Sequence, residues 1–434
     1  MMERVKSWVL SLLVVASLFL TWQLWTYQPN YALLDEQDYV QSENVGAELS
    51  LHDVIWPEQM VMHKGNQITS MNGSDRLFSV FYRELLDSRF EEITLQQDAD
   101  LDQLLSGERV MEIIFPTAIP ASILNKVLSF EMDMPQLSID TVDRIILLDE
   151  GGDIDHLTVK FISFHEGVVL EGETNFSVSN FRNRYFAQTE QFPNVFAYTL
   201  NESAKLPKTL YLPKEPVTLD TISDTSTPID YHHFLRVLFS DIDSVKQYYQ
   251  DNRESSFTDG NRMMSLEGGG SYLTYVHPIY SETPNTSQQH VIQTTFDFIN
   301  SYGGWTDNYR LYDWNVASQE ENATYRMIID GLPVFESRGR DLASIHVTRS
   351  GGQVTEFSRP LYNLDQSPLD AKRTMELAAG QDILNYVEEK FGPQEIENIR
   401  IGYKMDRTDH LVIHFEPSWY VQVDGSWYSV DPND

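Results

Sequence analysis

Residues 8–27, "WVLSLLVVASLFLTWQLWTY", contain no charged side chain and divide the chain into a short N-terminal part and a very long remainder. A helix of this length spans about 30 Å, the thickness of a bilayer core. A secretory signal has a shorter apolar region followed by small residues at its cleavage site. This segment instead ends in bulky aromatic residues, and Pro29 follows it. The sequence therefore predicts an uncleaved transmembrane helix that ends before Pro29.

The two ends of the predicted span carry the aromatic residues that favour the headgroup level of a membrane. These interface anchors are Trp8 on one side and Trp22, Trp25 and Tyr27 on the other. Arg4 and Lys6 precede the span, and positive charge favours the cytoplasmic side. We therefore expect residues 1–7 to form a cytoplasmic tail and residues 30–434 to lie outside the cell, so that the protein is a single-pass protein of the cell membrane.

The span and the residue directly before it carry small side chains that would permit close contact with another membrane helix. They are Ser7, Ser11, Ala16 and Ser17. Beyond Ser7 and Ser11 they follow no regular spacing, so the residues alone leave two interpretations open. The helix is either a passive tether or a surface for lateral contact.

The composition of the chain excludes several classes of function. With 65 acidic and 31 basic residues among 434, the formal charge is −34, and such a surface repels nucleic acid. The chain has no cysteine, which excludes disulfides, thiolate metal sites and cysteine nucleophiles. It contains no motif typical of serine hydrolases, zinc hydrolases or phosphate-binding loops. His232 and His233 are adjacent on a predicted helix and point in different directions, which does not suit one metal ion. We expect no enzyme, no metal and no cofactor.

The extracellular part is predicted to be α+β and to contain several domains. Residues 30–205 alternate between strand and helix patterns, and the proline-rich run at 206–216 is predicted to be a linker. Beyond it, a helix followed by antiparallel strands occurs three times, which suggests a central domain at 206–285 and a C-terminal domain at 286–434. Similar helix starts leave open whether these units arose by internal duplication.

The third of these helices has the strongest local signals. The segment 367–393 begins with Ser367 as a cap and Pro368 in the first position, and Gly392 ends it. Apolar residues recur at every fourth position, at Ala371, Met375, Ala379, Ile383, Val387 and Phe391. One continuous helix is predicted over this whole segment.

The end of the chain, "EPSWYVQVDGSWYSV" at 416–430, predicts a β-hairpin with a two-residue turn at Asp424 and Gly425. This register places Val421 opposite Tyr428 and Gln422 opposite Trp427. Tyr420 and Trp427 then share one face of the hairpin. That face either packs in a core or contacts a sugar or a protein partner.

Two segments resemble a known family. The segment "SLFLTWQLWTYQPNY" and the ending "IGYKMDRTDHLVIHFEPSWYVQVDGSWYSVD" resemble YycH, a family of single-pass accessory proteins of the YycFG (WalRK) two-component system in low-GC Gram-positive bacteria. Residues 206–434 also resemble the extracellular part of the sister protein YycI, whose helix-plus-strand units are similar to PepSY-like domains. The resemblance implies regulation without catalysis.

In that family, the accessory protein acts with YycI on the sensor histidine kinase YycG (WalK), which controls genes of cell-wall metabolism. The resemblance therefore implies contact through the transmembrane helices, with negative regulation as the expected direction. Whether the working unit is a homodimer or a pair with YycI stays open. Two other hypotheses are an envelope scaffold or binding module that uses Tyr420 and Trp427 for a wall-derived or peptide ligand, and an envelope hydrolase with a dispersed active site.

Overall fold

The structure is a computed structural model that describes residues 13, 16–17, 45–96, 105, 107–132, 139–152, 155–201, 204–249, 254–278, 289–317, 320–336, 342–365, 373–409 and 412–432. The chain divides into two units, Met1–Glu43 and Asn44–Asp434, and every helix and strand named below belongs to the second. Among the described residues, no helix is both long enough and apolar enough to cross a membrane. Of the predicted span, the structure describes only Leu13, Ala16 and Ser17, which are helical and exposed.

The first half of the second unit is built on an eight-stranded sheet with the order β2-β1-β4-β6-β7-β8-β3-β5. All of its pairs are antiparallel except β3 with β5. The strands are β1 (Gln59–Lys64), β2 (Gln67–Asn72), β3 (Arg89–Gln96), β4 (Arg109–Pro120), β5 (Ser129–Phe130), β6 (Thr141–Asp149), β7 (Leu157–Ser163) and β8 (Val168–Thr174). The helices are α1 (Leu51–Val54), α2 (Arg76–Leu86), α3 (Ala121–Val127) and α4 (Val178–Asn180), followed by a π-helical turn at Phe181–Tyr185 and a 3₁₀ turn at Phe186–Gln191.

The second half is dominated by fifteen strands that are linked by pairing. A separate hairpin consists of β9 (Val195–Leu200) and β10 (Lys208–Pro213). The fifteen strands are β11 (Val217–Pro228), β12 (Lys246–Tyr249), β13 (Ser255–Thr258), β14 (Met263–Glu267), β15 (Tyr272–Val276), β16 (Tyr309–Val316), β17 (Glu321–Ile329), β18 (Leu332–Glu336), β19 (Ser344–Ser350), β20 (Gln353–Pro360), β21 (Tyr362–Leu364), β22 (Arg373–Leu377), β23 (Ile396–Asp409), β24 (Val412–Val423) and β25 (Ser426–Val430). The helices are α5 (His232–Leu238), α6 (Val291–Ser301) and α7 (Gly380–Phe391), with a 3₁₀ turn at Ile242–Ser244.

The mixed α and β character predicted from the sequence is confirmed. Helices α5, α6 and α7 are each followed by antiparallel strands, as the three repeated patterns predict. In the first half, α2 buries Phe78, Phe81 and Leu85 along one face, which explains the apolar periodicity of that segment.

The predicted third helix is wrong in its first part. Residues 373–377 form strand β22, which pairs with β11 with Leu377 opposite Val217, and the helix begins only at Gly380. A Cβ atom on Gly380 would lie 2.6 Å from the Cβ of Leu212, so this glycine lets the helix approach β10 closely. The predicted cap at Ser367 and the residue Ala371 lie outside the described residues. Pairing with a distant strand has overridden a local helical pattern, as often happens when sheet contacts are available.

The predicted linker at 206–216 is also wrong. Lys208–Pro213 is strand β10, and its residues Leu210 and Leu212 are buried against α7 and the C-terminal strands. Pro207 directly precedes the strand, Pro213 is its last residue and Pro216 lies beyond it, and the strand is an edge strand in which proline is tolerated.

The predicted C-terminal hairpin is confirmed in its turn and in its register. Asp424 and Gly425 both have positive φ angles, 49° and 70°, as a type I′ turn requires. The pairs Val421–Tyr428 and Gln422–Trp427 are present. The two faces of the hairpin are therefore the predicted ones.

A half-buried carboxyl group near the start of β16 gives the fold a pH-dependent contribution. The side chain of Asp307 accepts a hydrogen bond of 3.1 Å from the backbone N–H of Leu364. This bond joins the loop between α6 and β16 to strand β21. Burial raises the pKa of Asp307 to about 7, while that hydrogen bond and Arg359 oppose the shift. Because its pKa is higher in the folded chain than in the unfolded one, the folded chain binds more protons, and the free energy of unfolding falls as pH rises from about 4 to about 7.

Asp307→Asn keeps the side-chain oxygen but does not titrate. As pH rises from 5 to 8, we therefore expect the free energy of unfolding of this variant to increase by about 2–3 kcal/mol relative to that of the wild-type chain. The measurement is urea unfolding of both chains in detergent at the two pH values. Parallel pH profiles for the two chains would show that Asp307 does not titrate in this range.

Candidate functional site

A cleft of about 700 Å³ lies between the two large sheets. Its lining combines Gln59 of β1 and Ile114 of β4 from the first half with Tyr312 of β16 and Ile401 of β23 from the second. Its walls are held together by contacts between the halves, such as the hydrogen bond of 2.7 Å from the Trp314 indole to the carbonyl oxygen of Ala118. Pockets of this size hold ligands of roughly drug-like dimensions in other proteins.

The charge of the cleft differs from that of the chain as a whole. Five basic side chains line it, namely Arg144, Lys208, Arg310, Arg326 and Arg400. Four acidic side chains line it, namely Glu58, Asp143, Asp313 and Glu356. The chain as a whole has twice as many acidic as basic residues, whereas basic side chains outnumber acidic ones in the lining of the cleft. This excess favours a ligand that carries negative charge.

One corner of the cleft is formed by Arg310 and Trp56. The guanidinium carbon of Arg310 lies 4.8 Å from the centre of the Trp56 ring, and that ring in turn packs on Tyr82 with its centre 4.7 Å away. Among the described residues, no acceptor takes a hydrogen bond from the Arg310 guanidinium or from the Trp56 indole N–H, although the Arg310 Nε and the Trp56 Nε1 are both buried. Burial lowers the pKa of Arg310 to about 10, so it stays cationic at neutral pH.

A second corner combines Lys208, Glu58 and Arg400. The guanidinium of Arg400 forms an ion pair of 2.6 Å with the carboxylate of Glu58 across the two halves. Burial lowers the pKa of Lys208, Glu58 opposes this shift and Arg400 adds to it. The ammonium of Lys208 has no hydrogen-bond acceptor among the residues that the structure describes. The Glu58–Arg400 pair therefore positions the walls, while Lys208 is available to a ligand.

The third corner is an aromatic group to which the C-terminal hairpin and the strands β16 and β18 contribute. The rings of Tyr312, Phe335, Tyr420 and Trp427 pack together, with the Phe335 and Tyr420 rings stacked 4.1 Å apart. Arg400 lies over Trp427 at 4.7 Å from the ring centre and donates a hydrogen bond of 3.1 Å to the hydroxyl of Tyr312. Stacking of a guanidinium on aromatic faces fixes its plane and prepares it for directional hydrogen bonds.

A buried charged network lies directly behind the cleft wall. Glu112 is fully buried and accepts hydrogen bonds of 2.6 Å from Arg144 and from the His63 ring, together with one from the hydroxyl of Tyr211. Arg144 also donates to the carbonyl oxygen of Thr209. Burial alone would raise the pKa of Glu112, but Arg144 and the His63 and Tyr211 contacts together lower it to about 2. The network joins β1, β4, β6 and β10 and fixes the Arg144 side of the cleft.

The structure brings together only part of the predicted site. Tyr420 and Trp427 lie in one aromatic group; Tyr420 is buried in it, and Trp427 is half-buried and lines the cleft. A role for these two residues in binding stays a prediction. The other predicted residues, Ser7, Ser11, Trp8, Trp22, Trp25 and Tyr27, lie outside the described residues, and Ala16 and Ser17 are helical and exposed.

The histidine pair of α5 follows the sequence argument. His233 is buried, whereas His232 is exposed and lies 2.7 Å from the carboxylate of Asp230. The two rings therefore lie in different surroundings, one in the interior and one at the surface. No cluster of three or more histidine and carboxylate side chains suited to a metal ion occurs within the described part of the chain.

Sequence reasoning missed the cleft, although a signal for it exists. Arg310, Arg326 and Arg400 each interrupt an apolar strand pattern, in "NYRLYDW", "TYRMII" and "NIRIGY". A cation at such a position must find an anion, an aromatic face or a ligand, because burial of an isolated charge is unfavourable. Three arginines of this kind in a strongly acidic chain therefore indicate one shared site.

Comparison with known proteins places the chain in a family. The family model for the YycH protein, N-terminal domain, matches residues 3–180, and the model for the YycH protein, C-terminal domain, matches residues 207–433. A relative from Bacillus subtilis (strain 168), the two-component system WalR/WalK regulatory protein YycH, is 22% identical over 443 residues, an alignment that covers 98% of this chain and 95% of the relative.

The fold agrees with this match. The crystal structure of YycH from Bacillus subtilis superimposes with a TM-score of 0.72 at 17% identity, covering 90% of this chain and 99% of the crystallised one. The two family models together extend over most of the sequence. The chain belongs to the YycH family.

Proposed function

We propose that the chain is a membrane-anchored regulator of the sensor histidine kinase YycG (WalK) and thereby of cell-wall metabolism. The observation that carries the proposal is the match of both YycH domains together with a relative named as a WalR/WalK regulatory protein. Residues 8–27 supply an apolar segment of the length that a single-pass anchor needs. The anchor leaves a short tail in the cytoplasm and the two-sheet unit outside the cell.

In this proposal the anchor also regulates. A helix packed against the membrane helices of the kinase favours one of their two packings, and a difference of a few kcal/mol is enough to change kinase output. Ser7, Ser11, Ala16 and Ser17 supply small side chains for such contact. YycI is the expected companion, negative regulation is the expected direction, and no catalytic step is involved.

The test exchanges residues 8–27 for an unrelated single-span helix of equal length and leaves the remainder unchanged. We expect co-purification with the kinase from membranes to fall at least about tenfold, because helix–helix contacts in membranes depend on close packing of small side chains. A matched control replaces Leu13 by isoleucine, which keeps the size and the hydrophobicity of the span.

The exchanged chain must reach the membrane in the same amount as the original chain, as a blot of the membrane fraction shows. Co-purification that is unchanged by the exchange would show that the span is only a tether.

A second candidate function is binding of a ligand by the extracellular unit. Trp427, predicted as a contact residue of an envelope binding module, lines the cleft beside Arg400, and this position favours the candidate. The two functions are compatible, because a ligand held outside the cell can bias a regulator that acts through its anchor.

A further inference from the structure

We propose that the cleft binds a short peptide with free charged ends, with the peptide carboxylate held by the Arg310 guanidinium in the corner that Trp56 closes. This inference deepens the second candidate function, ligand binding, and does not depend on the regulation of the kinase. The inference rests on three properties of the cleft: its hydrogen-bond donors without acceptors, its charged side chains and its size.

The position of the carboxylate follows from unused donors. Arg310 and Trp56 present buried N–H groups for which the described residues offer no acceptor. Buried donors without acceptors are unfavourable, and a carboxylate that accepts from a guanidinium removes this penalty. The Trp56 ring, 4.8 Å from the guanidinium carbon, holds the guanidinium in one plane before the ligand arrives. Lys208 supplies a further cation without a hydrogen-bond acceptor among the described residues.

The carboxylates of the lining indicate that the ligand also carries a positive charge, in addition to its carboxylate. Asp143, Asp313 and Glu356 line the cleft, and within the described part of the chain none of them makes an ion pair. Asp143 accepts a hydrogen bond of 2.9 Å from the backbone N–H of Phe164, which fixes its direction, and Lys208 and Arg144 lie close enough to interact favourably with its charge. A ligand with phosphate groups alone would be repelled by these three groups, whereas an ammonium group pairs with one of them.

The kind of molecule follows from size and from the aromatic residues. A volume of about 700 Å³ exceeds what a simple anion needs and accommodates a chain of a few amino-acid residues. Tyr312 and Trp427 offer flat surfaces to side chains between the two charged ends. A short peptide carries both charges, an extended backbone and apolar side chains, and thus matches all three properties of the lining.

The test is affinity selection with detergent-solubilised full-length chain. The probes are two pools of random tetrapeptides made from all amino acids except cysteine, one with free ends and one with amidated C-termini, and retained peptides are quantified by mass spectrometry. We expect the free pool to be retained, and both amidation and Arg310→Gln to reduce retention by about tenfold or more. Since both changes remove the same contact, amidated peptides should bind the wild-type chain and the variant equally.

The matched control is Arg83→Gln, which removes an exposed arginine of α2 outside the cleft and should retain the free pool like the wild-type chain. Thermal unfolding checks that each variant is folded. Arg310→Lys, which keeps the charge and changes only the hydrogen-bond geometry, provides the same comparison of the two pools if Arg310→Gln does not fold.

Three results would overturn the inference: no retention of the free pool, equal retention of the free and amidated pools, or complete displacement by inorganic phosphate at the same concentration as the peptides. Co-purification of the wild-type chain and of Arg83→Gln with the kinase is measured on the same preparations and reports the regulator function separately from peptide binding. Failure of peptide binding is thereby distinguished from failure of the regulator function.

Discussion

Arg144→Met should lower the free energy of unfolding by about 3–5 kcal/mol, because it leaves a buried carboxylate without its cation. Glu112 is fully buried, and the Arg144 guanidinium lies 2.6 Å from it and is almost fully buried itself. His63 and Tyr211 still donate to Glu112 in the variant, but neither supplies a permanent positive charge. Urea unfolding of the detergent-solubilised chain at pH 7 measures the effect without screening the ion pair.

The chain offers a matched control for this prediction. Arg89 forms an ion pair of 3.0 Å with Glu91, and both side chains are at least half exposed. Arg89→Met should therefore lower the free energy of unfolding by less than about 1 kcal/mol. The pKa of Glu112 in the wild-type chain is lowered to about 2, so its stabilising contribution is present above the unfolded value of 4.5 and is lost as pH falls through about 2.

In Arg144→Met, burial without the cation raises the pKa of Glu112 instead, so the variant becomes relatively more stable as pH falls. The difference in the free energy of unfolding between the wild-type and variant chains should therefore become smaller as pH falls from 7 to 4. A loss for Arg144→Met as small as that of Arg89→Met would mean that the network does not hold the cleft wall.

Gly331→Ala should lower the free energy of unfolding by about 2–4 kcal/mol, because it combines backbone strain with a clash between the two halves. Gly331 has a φ of 79° in the turn between β17 and β18. A Cβ atom there would lie 2.2 Å from the backbone nitrogen of Ser74 and 2.3 Å from the carbonyl carbon of Gly73. Neither contact can be relieved by rotating a side chain, so the hairpin and the β2–α2 loop must separate.

Gly65 provides the matched control for this effect. It also has a positive φ, 58°, in a hairpin turn, but no atom lies within 4 Å of the position that its Cβ atom would take. Gly65→Ala should therefore lower the free energy of unfolding only by the strain term, about 1 kcal/mol. Urea unfolding of both variants compares the clash with the strain alone, and equal losses would show that the two halves do not meet at Gly331.

Gly331 also lines the cleft, so the separation of the two halves should be visible there. In Gly331→Ala we expect faster hydrogen exchange in β18 and in the loop at Gly73, with α7 unaffected. Uniform exchange throughout the chain would indicate general destabilisation instead of a local opening.

The sequence predicts the elements whose signals are local. The turn of the C-terminal hairpin follows from the dipeptide Asp424-Gly425 alone, and its register follows from the turn. Helix α2 follows from the spacing of Phe78, Phe81 and Leu85. These residues satisfy the same local preferences in the folded chain as in the sequence, so no distant contact changes the result.

The sequence fails where a distant strand decides the structure. Met375 fits a helical stripe, but it lies in β22 opposite Leu219 of β11, a partner that no local pattern identifies. The cleft is a stronger case, because its residues range along the chain from Trp56 to Trp427 and meet only after both sheets have formed. A sequence pattern indicates that Arg310 is unusual, but only the fold shows that it lies on Trp56.

The most direct test of the regulator proposal is the output of a WalR-dependent reporter in cells that lack the native chain. The strain is complemented either with the full chain or with the chain whose residues 8–27 are exchanged for an unrelated span, at equal amounts in the membrane. We predict that deletion changes the output, that the full chain restores it, and that the exchanged chain leaves it at the deletion level. Restoration of the output by the exchanged chain would contradict regulation through the membrane helix.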